Sequence, residues 1–556
     1  MKKFWKIVIA VTIGVMLVVL AAGWYFNTHW KQLLRKELGE YVSAGTDGLY
    51  QLHYKKIRLN ILTGNVSIDQ VQLVPDSAVY QDLINKHRAP KVLYKVEMEH
   101  LNMHNLLLWK YFIKKQAYAR SFVFYKPKIE IIQNDLAVDT SVHGTFYGTL
   151  KQYIKSIYIN QVTSSKTELN YTHILGDSSR ERSRISDLNF IVRDLLIDSV
   201  AESDPRRFLY ATNFDINLEK YEFKPKDSLY NLHFKDITYR AAQKNLELGS
   251  VHLEPKYNIA EFDRRIGTQK DRYDILFRDL DFNRLYLQDL LKGKLYCESC
   301  NIDGANIDIY RNRSLPLPAG DKIGQFPSQV LKKLELPLKI DTLKAENVNI
   351  SYTELNPKNG ETGSIYFKRA NGIIRNITNN DSLIARNNHC IANINAVFME
   401  TGKLRAKFDF PLDRVDGSFN ISGQLKDMNG KELNPVTRPL GMVAVESLRL
   451  HSLDFAIAGN EHAARADIKF LYSRLRISIL EEEGNQLKRK GLMSTIANLM
   501  AIYKENPEAG KDPRLAVGKY TRDPKKSFFN LVWKTLFDGV MQTVGTQLLW
   551  EKTGKK

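Results

Sequence analysis

Apolar and polar side chains alternate with a period of two residues along much of this chain, from about residue 50 to about residue 480. Successive side chains of a β-strand point to opposite faces of its sheet, so this period gives each strand one apolar and one polar face. The apolar positions of the clearest segments are Leu404, Phe408 and Phe410 in one, and Ile468 and Phe470 in another. The pattern predicts a mainly β protein whose sheet has a dry side and a wet side.

Asn-Gly and Asp-Gly pairs interrupt this alternation at several points. Such pairs favour the tight turns that join adjacent antiparallel strands. They stand at 47–48, 303–304, 359–360, 371–372, 416–417 and 429–430. The sequence therefore predicts turns there, between strands of an antiparallel sheet.

The chain also repeats itself at a nearly constant spacing. Three pairs of similar segments carry the repeat: 71–75 with 251–255, 100–115 with 279–294, and 166–172 with 347–353. Since the three similarities keep the same order and nearly the same spacing, they indicate two copies of one β-rich unit. Each copy has a polar or helical insert between its strands, at 77–90 and 256–273. Stacked repeats build elongated molecules.

From these patterns we predict five regions. They are a transmembrane anchor at 1–27, a first β-rich repeat unit at 28–230, a second at 231–410, a third and divergent one at 411–485, and a helical tail at 486–556.

Residues 7–26 carry no charge, and twenty helical residues span roughly 30 Å, the thickness of a bilayer's hydrocarbon core. Lys2, Lys3 and Lys6 precede this segment, which predicts a cytoplasmic N-terminus and a single pass through a membrane. A cleaved signal peptide is the alternative, but its apolar core would be shorter. On either interpretation, the bulk of the chain is expected beyond that membrane.

The tail predicts two helices, at 491–504 and at 527–549, with Ser527 as the N-cap of the second. One apolar stripe of the second helix consists of Phe529, Trp533, Phe537 and Met541. A broad apolar face of this kind either packs on the end of a sheet or contacts a membrane or a partner protein.

The chain has 556 residues, a formal net charge of +19 and 43% apolar residues, a content that excludes a disordered protein. Its basic residues are dispersed and form no nucleic-acid-binding motif, so we expect no nucleic acid as a partner. The charge either attracts anionic lipid headgroups or another polyanionic surface, or it serves general solubility. Three cysteines exclude a disulfide-built scaffold. Cys297 and Cys300 are predicted to be structural, with a turn disulfide as the alternative.

The sequence offers little catalytic chemistry. It contains no nucleophile elbow, phosphate-binding loop or zinc-protease motif. His100 and His104 are spaced as two metal ligands on a helix would be, but no third ligand is identifiable. We therefore predict no catalytic residue, no cofactor and no metal site, and a protein that is not an enzyme.

The dry face needs a cover, because a large apolar surface is not stable in water. Either two sheets close on each other as a sandwich, or one curved sheet forms a trough that something else fills. Acyl chains are the obvious filling in a membrane-tethered protein, with the five alternating apolar residues of 404–410 and 468–470 as the groove lining.

Two segments carry a resemblance to a known family. The first is GNVSIDQVQLVP at 64–75, which reads as a pair of short strands ending in proline. The second is the segment 448–480, which has a Gly-Asn turn between two strands and the sequence Phe-Leu-Tyr near its end. With the preceding anchor, these segments resemble the AsmA-like superfamily of bacterial envelope proteins, which includes TamB-type proteins. The resemblance implies an inner-membrane anchor, a periplasmic β-taco with a hydrophobic groove, and a role in moving phospholipid towards the outer membrane. A scaffold for assembling outer-membrane proteins is the alternative that it leaves open.

Overall fold

The computed structural model describes residues 42, 43, 46 and 48–545, with gaps at 61–62, 108–109, 111–112, 138–146, 148–153, 205, 208–209, 226–227, 484–485 and 490–501. The predicted anchor at 7–26 lies outside the described residues, as does nearly all of the predicted helix at 491–504. Within the described part, none of the helices has both the length and the apolar composition needed to cross a membrane.

The described chain is mainly β and divides into two compact units. The first unit extends to Tyr221 and includes Phe234–Leu248 and Leu285–Gly293. The second unit comprises Glu222–His233, Gly249–Arg284 and the chain from Lys294 onward.

The strands of the first unit are β1 (Tyr50–His53), β2 (Lys56–Asn60), β3 (Asn65–Pro75), β4 (Val92–His104), β5 (Gln116–Tyr125), β6 (Lys128–Asn134), β7 (Ser156–Ile174) and β8 (Arg180–Ile197). Residues of both units occur in β9 (Asn213–Phe223), β10 (Tyr230–Arg240) and β11 (Asn245–Pro255). The strands of the second unit are β12 (Asp271–Asn283), β13 (Leu295–Asn312), β14 (Leu338–Leu355), β15 (Thr362–Thr378), β16 (His389–Phe398), β17 (Gly402–Pro411), β18 (Phe419–Asn429), β19 (Val443–Gly459), β20 (Ala463–Glu483), β21 (Gln486–Arg489) and β22 (Leu515–Thr521).

Short helices connect these strands. They are α1 (Ser77–Asn85), α2 (Ser199–Ser203), α3 (Ile259–Ile266), α4 (Leu287–Leu291), α5 (Pro327–Lys333), α6 (Asp381–Ile384), a 3-10 turn (Gly430–Leu433), α7 (Asn434–Gly441) and α8 (Phe528–Val544). Helices α1 and α3 confirm the helical inserts predicted at 77–90 and 256–273.

In the first unit, β3 pairs antiparallel with β1 and β2 along one edge and with β4 along the other. Two shorter strands, β5 and β6, both pair antiparallel with β4. Both also run parallel to β7, which pairs antiparallel with β8.

In the second unit, β12 and β13 are antiparallel, and β13 runs parallel to β14 over its whole length. From β14 the chain meanders antiparallel to β20, which also pairs with β22. The prediction of a purely antiparallel sheet is therefore wrong where β5 and β6 meet β7 and where β13 meets β14. Parallel neighbours need a long crossover, and the alternation within a strand does not reveal its neighbour's direction.

The order of elements recurs along the chain. Strands β11, β12, β14 and β15 follow one another as β3, β4, β7 and β8 do, and each begins at nearly the same distance along the chain from its counterpart. Helices α3 and α6 stand in the same relation to α1 and α2. We call β3 to β8 the first copy and β11 to β15 the second copy.

Matching irregularities mark the two copies. Lys166 in β7 and Asn347 in β14 both have a left-handed backbone, at φ 54° in each. The backbone N–H of Lys166 donates to Asn189 Oδ1 at 2.9 Å, and that of Asn347 donates to Asn371 Oδ1 at 3.1 Å. The turn predicted at 371–372 is therefore wrong, since Asn371 lies inside β15 and stabilises a bulge in the neighbouring strand. The pair at 303–304 also lies inside a strand, β13.

Helix α8 packs on the sheet at the C-terminal end of the second unit. Ser527 caps it by accepting a hydrogen bond from the Asn530 N–H, which confirms the predicted start. The helix approaches β20 and β22 closely, because a Cβ at Gly539 would overlap the Ile468 side chain. Its residues Phe528 and Leu531 belong to a buried cluster with Ile468 and others, which we call the C-terminal core.

Candidate functional site

Two rows of apolar side chains cross β12 to β16 at right angles to the strands. Their members are cross-strand neighbours, and every one of them is half-buried. One row is Ile275, Ile307, Ile350, Phe367 and Phe398, and the next is Tyr273, Ile309, Tyr352 and Ile365. We call these nine side chains the apolar face. It is the dry side that the alternation predicts, and on these strands it is only partly covered.

The first copy has an equivalent of the longer row, and its side chains are buried there. Its members occupy the same places in the repeat as Ile275, Ile307, Ile350 and Phe367, and each is at most 3% exposed. They are Val96, Ile129, Leu169 and Ile185. Their buried cluster includes Val42 and Ile154, with Tyr147 packed against it, and these three residues lie outside the strands. One copy thus has a covered apolar row, and the other has a half-buried one.

A polar row borders the apolar face. It consists of Asp271, Arg311 and Glu354, which are cross-strand neighbours two residues beyond Tyr273, Ile309 and Tyr352. Arg311 Nη2 lies 2.6 Å from Asp271 Oδ2, in an ion pair whose side chains are 12% and 19% exposed. We call this row the polar border.

The two tyrosines of the apolar face are bonded to this border. The Tyr352 hydroxyl donates to Glu354 Oε1 at 2.7 Å, and the Tyr273 hydroxyl donates to Asp271 Oδ2 at 3.3 Å. Burial, followed by the charge of Asp271, raises the pKa of Tyr273 to about 12. Both phenols are therefore neutral donors at neutral pH, and they lie between the isoleucines and the charged side chains.

The five predicted lining residues lie on the same face of the sheet, on β17 and β20. Leu404 and Phe470 are the ends of one cross-strand row that passes through Leu425 and Leu453. Ile468 and Phe470 are buried in the C-terminal core, whereas Leu404, Phe408 and Phe410 are half-buried against it. The apolar face on β12 to β16 continues from this region, because its Ile365 and Phe398 also pack against the C-terminal core. The sequence reasoning did not single out its nine side chains.

The predicted contact stripe of α8 is divided between solvent and core. Phe529 and Trp533 are 68% and 50% exposed, and the rings of Trp533 and Phe537 lie 5.5 Å apart. Met541 is half-buried against the C-terminal core. The helix therefore packs on the sheet and also presents aromatic rings to solvent, so contact with a membrane or a partner protein stays a prediction.

The remaining candidates are two cysteines and two histidines. Cys297 and Cys300 are buried and unbonded, which agrees with structural cysteines and not with a turn disulfide. His100 Nδ1 lies 3.0 Å from Asp69, and His104 Nδ1 lies 3.0 Å from the Ser121 hydroxyl. Across the part of the chain that the structure describes, no group of three or more ligating side chains is placed to hold a metal ion.

The chain matches no known protein-family model, and no curated protein matches it closely enough to be considered a relative. The AsmA-like assignment therefore stays a prediction that rests on the segments at 64–75 and 448–480.

Proposed function

We propose that this chain is a membrane-anchored, periplasmic lipid-binding protein that moves phospholipid between membranes and acts in outer-membrane biogenesis. The observation that supports it most is the half-buried apolar face of the second copy, beside an equivalent row that the first copy buries fully. In this proposal the sheet forms a β-taco, its apolar face is the groove floor, and residues 7–26 are the anchor.

The energetics favour a lipid over water on this face. Covering a fully exposed side chain of this size contributes roughly 1.5–3 kcal/mol, and a half-buried one contributes part of that. Acyl chains are flexible and apolar, so they can follow a row of isoleucine and phenylalanine side chains without needing hydrogen bonds. The alternating charged residues on the opposite face keep that side in water.

A second candidate function, a scaffold for the assembly of outer-membrane proteins, is favoured by α8. Its exposed Phe529 and Trp533 form a surface that a partner protein could cover. In this proposal the apolar face plays no part in binding.

Site-specific photocrosslinking in cells separates the two functions, with the full chain in its own membrane. Ile350 is replaced by the photoreactive residue benzoylphenylalanine, and adducts are identified by mass spectrometry after irradiation. Its neighbour Asn349 is the matched control, because it is exposed on the opposite face of the same strand. We expect phospholipid adducts at 350 and none at 349.

The same experiment at Trp533 tests the alternative. Protein adducts at 533, with no lipid adduct at 350, would favour the scaffold. An expressed and folded protein that yields no lipid adduct at 350 would contradict lipid binding at the apolar face.

A further inference from the structure

Strand β22 is an edge strand within the part of the chain that the structure describes. It pairs antiparallel with β20 from Leu515 to Thr521, and it forms a ladder with no other described strand. Alternate residues of a paired strand direct their backbone N–H and C=O groups away from the partner strand. Such a row of outward groups is a template on which a strand of another chain can pair.

Two side chains of α8 occupy this edge. The backbone N–H of Lys519 donates to Asp538 Oδ2 at 2.9 Å, and Gln542 Nε2 donates to the Val517 carbonyl at 2.9 Å. The Lys519 N–H has one hydrogen to donate, so its bond to α8 shows that this residue and Val517, two positions earlier, point away from β20. The carboxylate and the carboxamide thus take the places of the C=O and N–H of a neighbouring strand.

The geometry of α8 holds the two side chains at the edge. Gln542 Nε2 also donates to Asp538 Oδ2 at 2.9 Å, which fixes one side chain to the other. A Cβ at Gly539 would lie 3.1 Å from the Gly518 nitrogen, so the helix backbone approaches the strand closely beside Asp538. Asp538 is the one acidic residue of α8. A charge placed against an edge strand is a known means of preventing further pairing.

The same edge of a second copy would fit the outward groups of β22 if these side chains were absent. Antiparallel pairing about a two-fold axis brings two identical edges together. In a pairing centred on Val517, Lys519 of one copy lies opposite Leu515 of the other, so two like charges do not meet. The Leu515 side chain is 72% exposed, and a neighbouring strand would cover part of it.

We propose that Asp538 and Gln542 of α8 keep the edge of β22 closed to β22 of a second copy of this chain. The inference concerns self-association and does not depend on the proposed lipid-binding function. It assigns α8 a second role besides covering the C-terminal core, because only side chains at the edge are needed for it.

The test measures the mass of the full chain in detergent micelles by light scattering, with the mass of the micelle subtracted. The double variant Asp538→Ala/Gln542→Ala removes both bonds to the edge, and alanine preserves the helix. A triple variant adds Val517→Pro, which removes an outward N–H that β20 does not use and so blocks strand addition. The matched control is Asn530→Ala/Lys534→Ala, with the same spacing in α8 and no side-chain hydrogen bond to β22 within the described chain.

We expect the double variant to form a species of twice the monomer mass that dissociates on dilution. The wild type, the control and the triple variant should all have the monomer mass. Circular dichroism checks that each variant is folded. If the double variant does not fold, Gln542→Ala alone is judged by the same masses, since it keeps the bond between Asp538 and Lys519.

Three outcomes would overturn the inference. A folded double variant that keeps the monomer mass at every concentration would show that the two bonds only fasten α8 to the sheet. A triple variant that associates as the double variant does would place the contact elsewhere, for example at the exposed rings of Phe529 and Trp533. A wild type that is already a dimer, and that Val517→Pro alone converts to a monomer, would show that the edge is open.

Discussion

The Tyr230 hydroxyl accepts a hydrogen bond from the backbone N–H of Tyr273 at 3.2 Å. At the equivalent positions earlier in the chain, the Tyr50 hydroxyl accepts the same bond from the N–H of Tyr94, at 3.1 Å. Both pairs thus have a tyrosine hydroxyl as acceptor, a tyrosine backbone N–H as donor and nearly the same spacing along the chain. The repeat therefore extends beyond strand order to individual hydrogen bonds.

We expect Tyr50→Phe and Tyr230→Phe to destabilise the protein by a similar amount. Each change leaves one backbone N–H without its acceptor, at a cost of about 1–3 kcal/mol if water cannot replace it. Urea unfolding followed by circular dichroism measures the change. Tyr296→Phe is the control, since the Tyr296 hydroxyl makes no hydrogen bond within the described chain, and equal losses in all three variants would contradict the prediction.

The equivalent rows of the two copies differ in burial. The same truncation to alanine should therefore lower the free energy of unfolding by different amounts at equivalent positions. Leu169→Ala should destabilise by about 2–5 kcal/mol, the usual cost of a cavity at a fully buried site. Ile350→Ala should cost clearly less, because the Ile350 side chain is only half-buried. Urea unfolding of both variants tests this, and an Ile350→Ala loss as large as that of Leu169→Ala would show that the face is closed in solution.

Lys322→Gln should raise the thermal stability. Burial and Arg311 hold the folded-state pKa of Lys322 below its unfolded value, so the charged form is disfavoured in the fold. That penalty is present at neutral pH and fades as the pH rises towards the ordinary lysine pKa of about 10.4. The stability gap between variant and wild type should therefore narrow at high pH.

Differential scanning calorimetry at pH 7 and at pH 10 measures that gap. A variant less stable than the wild type at pH 7 would assign Lys322 a structural role instead.

The three cysteines should be unreactive in the native protein. Burial raises the pKa to about 11 for Cys297, about 12 for Cys300 and about 11 for Cys390, so few thiolates form at neutral pH. Because these folded-state values lie above the unfolded ones, the thiols stabilise the fold below about pH 8.5, and this contribution is lost as the pH rises. Iodoacetamide labelling at pH 8, read by mass spectrometry, should modify them only after denaturation. Cysteines that react as fast in the native protein as in the denatured protein would contradict this prediction.

Gly518→Ala should loosen α8. An added Cβ would overlap the backbone carbonyl oxygen of Thr535, and backbone atoms cannot turn aside as a flexible side chain can. Overpacking of this kind costs about 1–3 kcal/mol. Hydrogen exchange should speed up in α8 and over Ile468, whereas Gly441→Ala, whose Cβ would meet nothing within 4 Å, should leave both unchanged.

The sequence predicts the fold well where a local pattern has one physical cause. The period of two identifies the strands and the dry side, the evenly spaced similar segments identify the repeating order, and Ser527 identifies the start of α8. The Asn-Gly pair at 371–372 misleads, because the Asn371 side chain stabilises a bulge in a neighbouring strand, and that neighbour is known only from the fold.

The candidate site was only partly predictable. The alternation of apolar and polar residues predicts the apolar face. Whether a row of that face is covered depends on segments outside the strands, which the alternation does not describe. The polar border had a signal that a comparison of the copies would have revealed, since Arg311 replaces Gln133.

The parallel pairing of β13 with β14 also has a consequence during synthesis. Every residue of β13 that pairs with β14 has a partner 43 positions later in the chain. At about 5–20 residues per second, a nascent chain takes about 2–9 s to supply that partner. During this interval β13 is an unprotected edge strand open to pairing with other chains. A factor that shields emerging chains would therefore raise the yield of folded protein most at this stage.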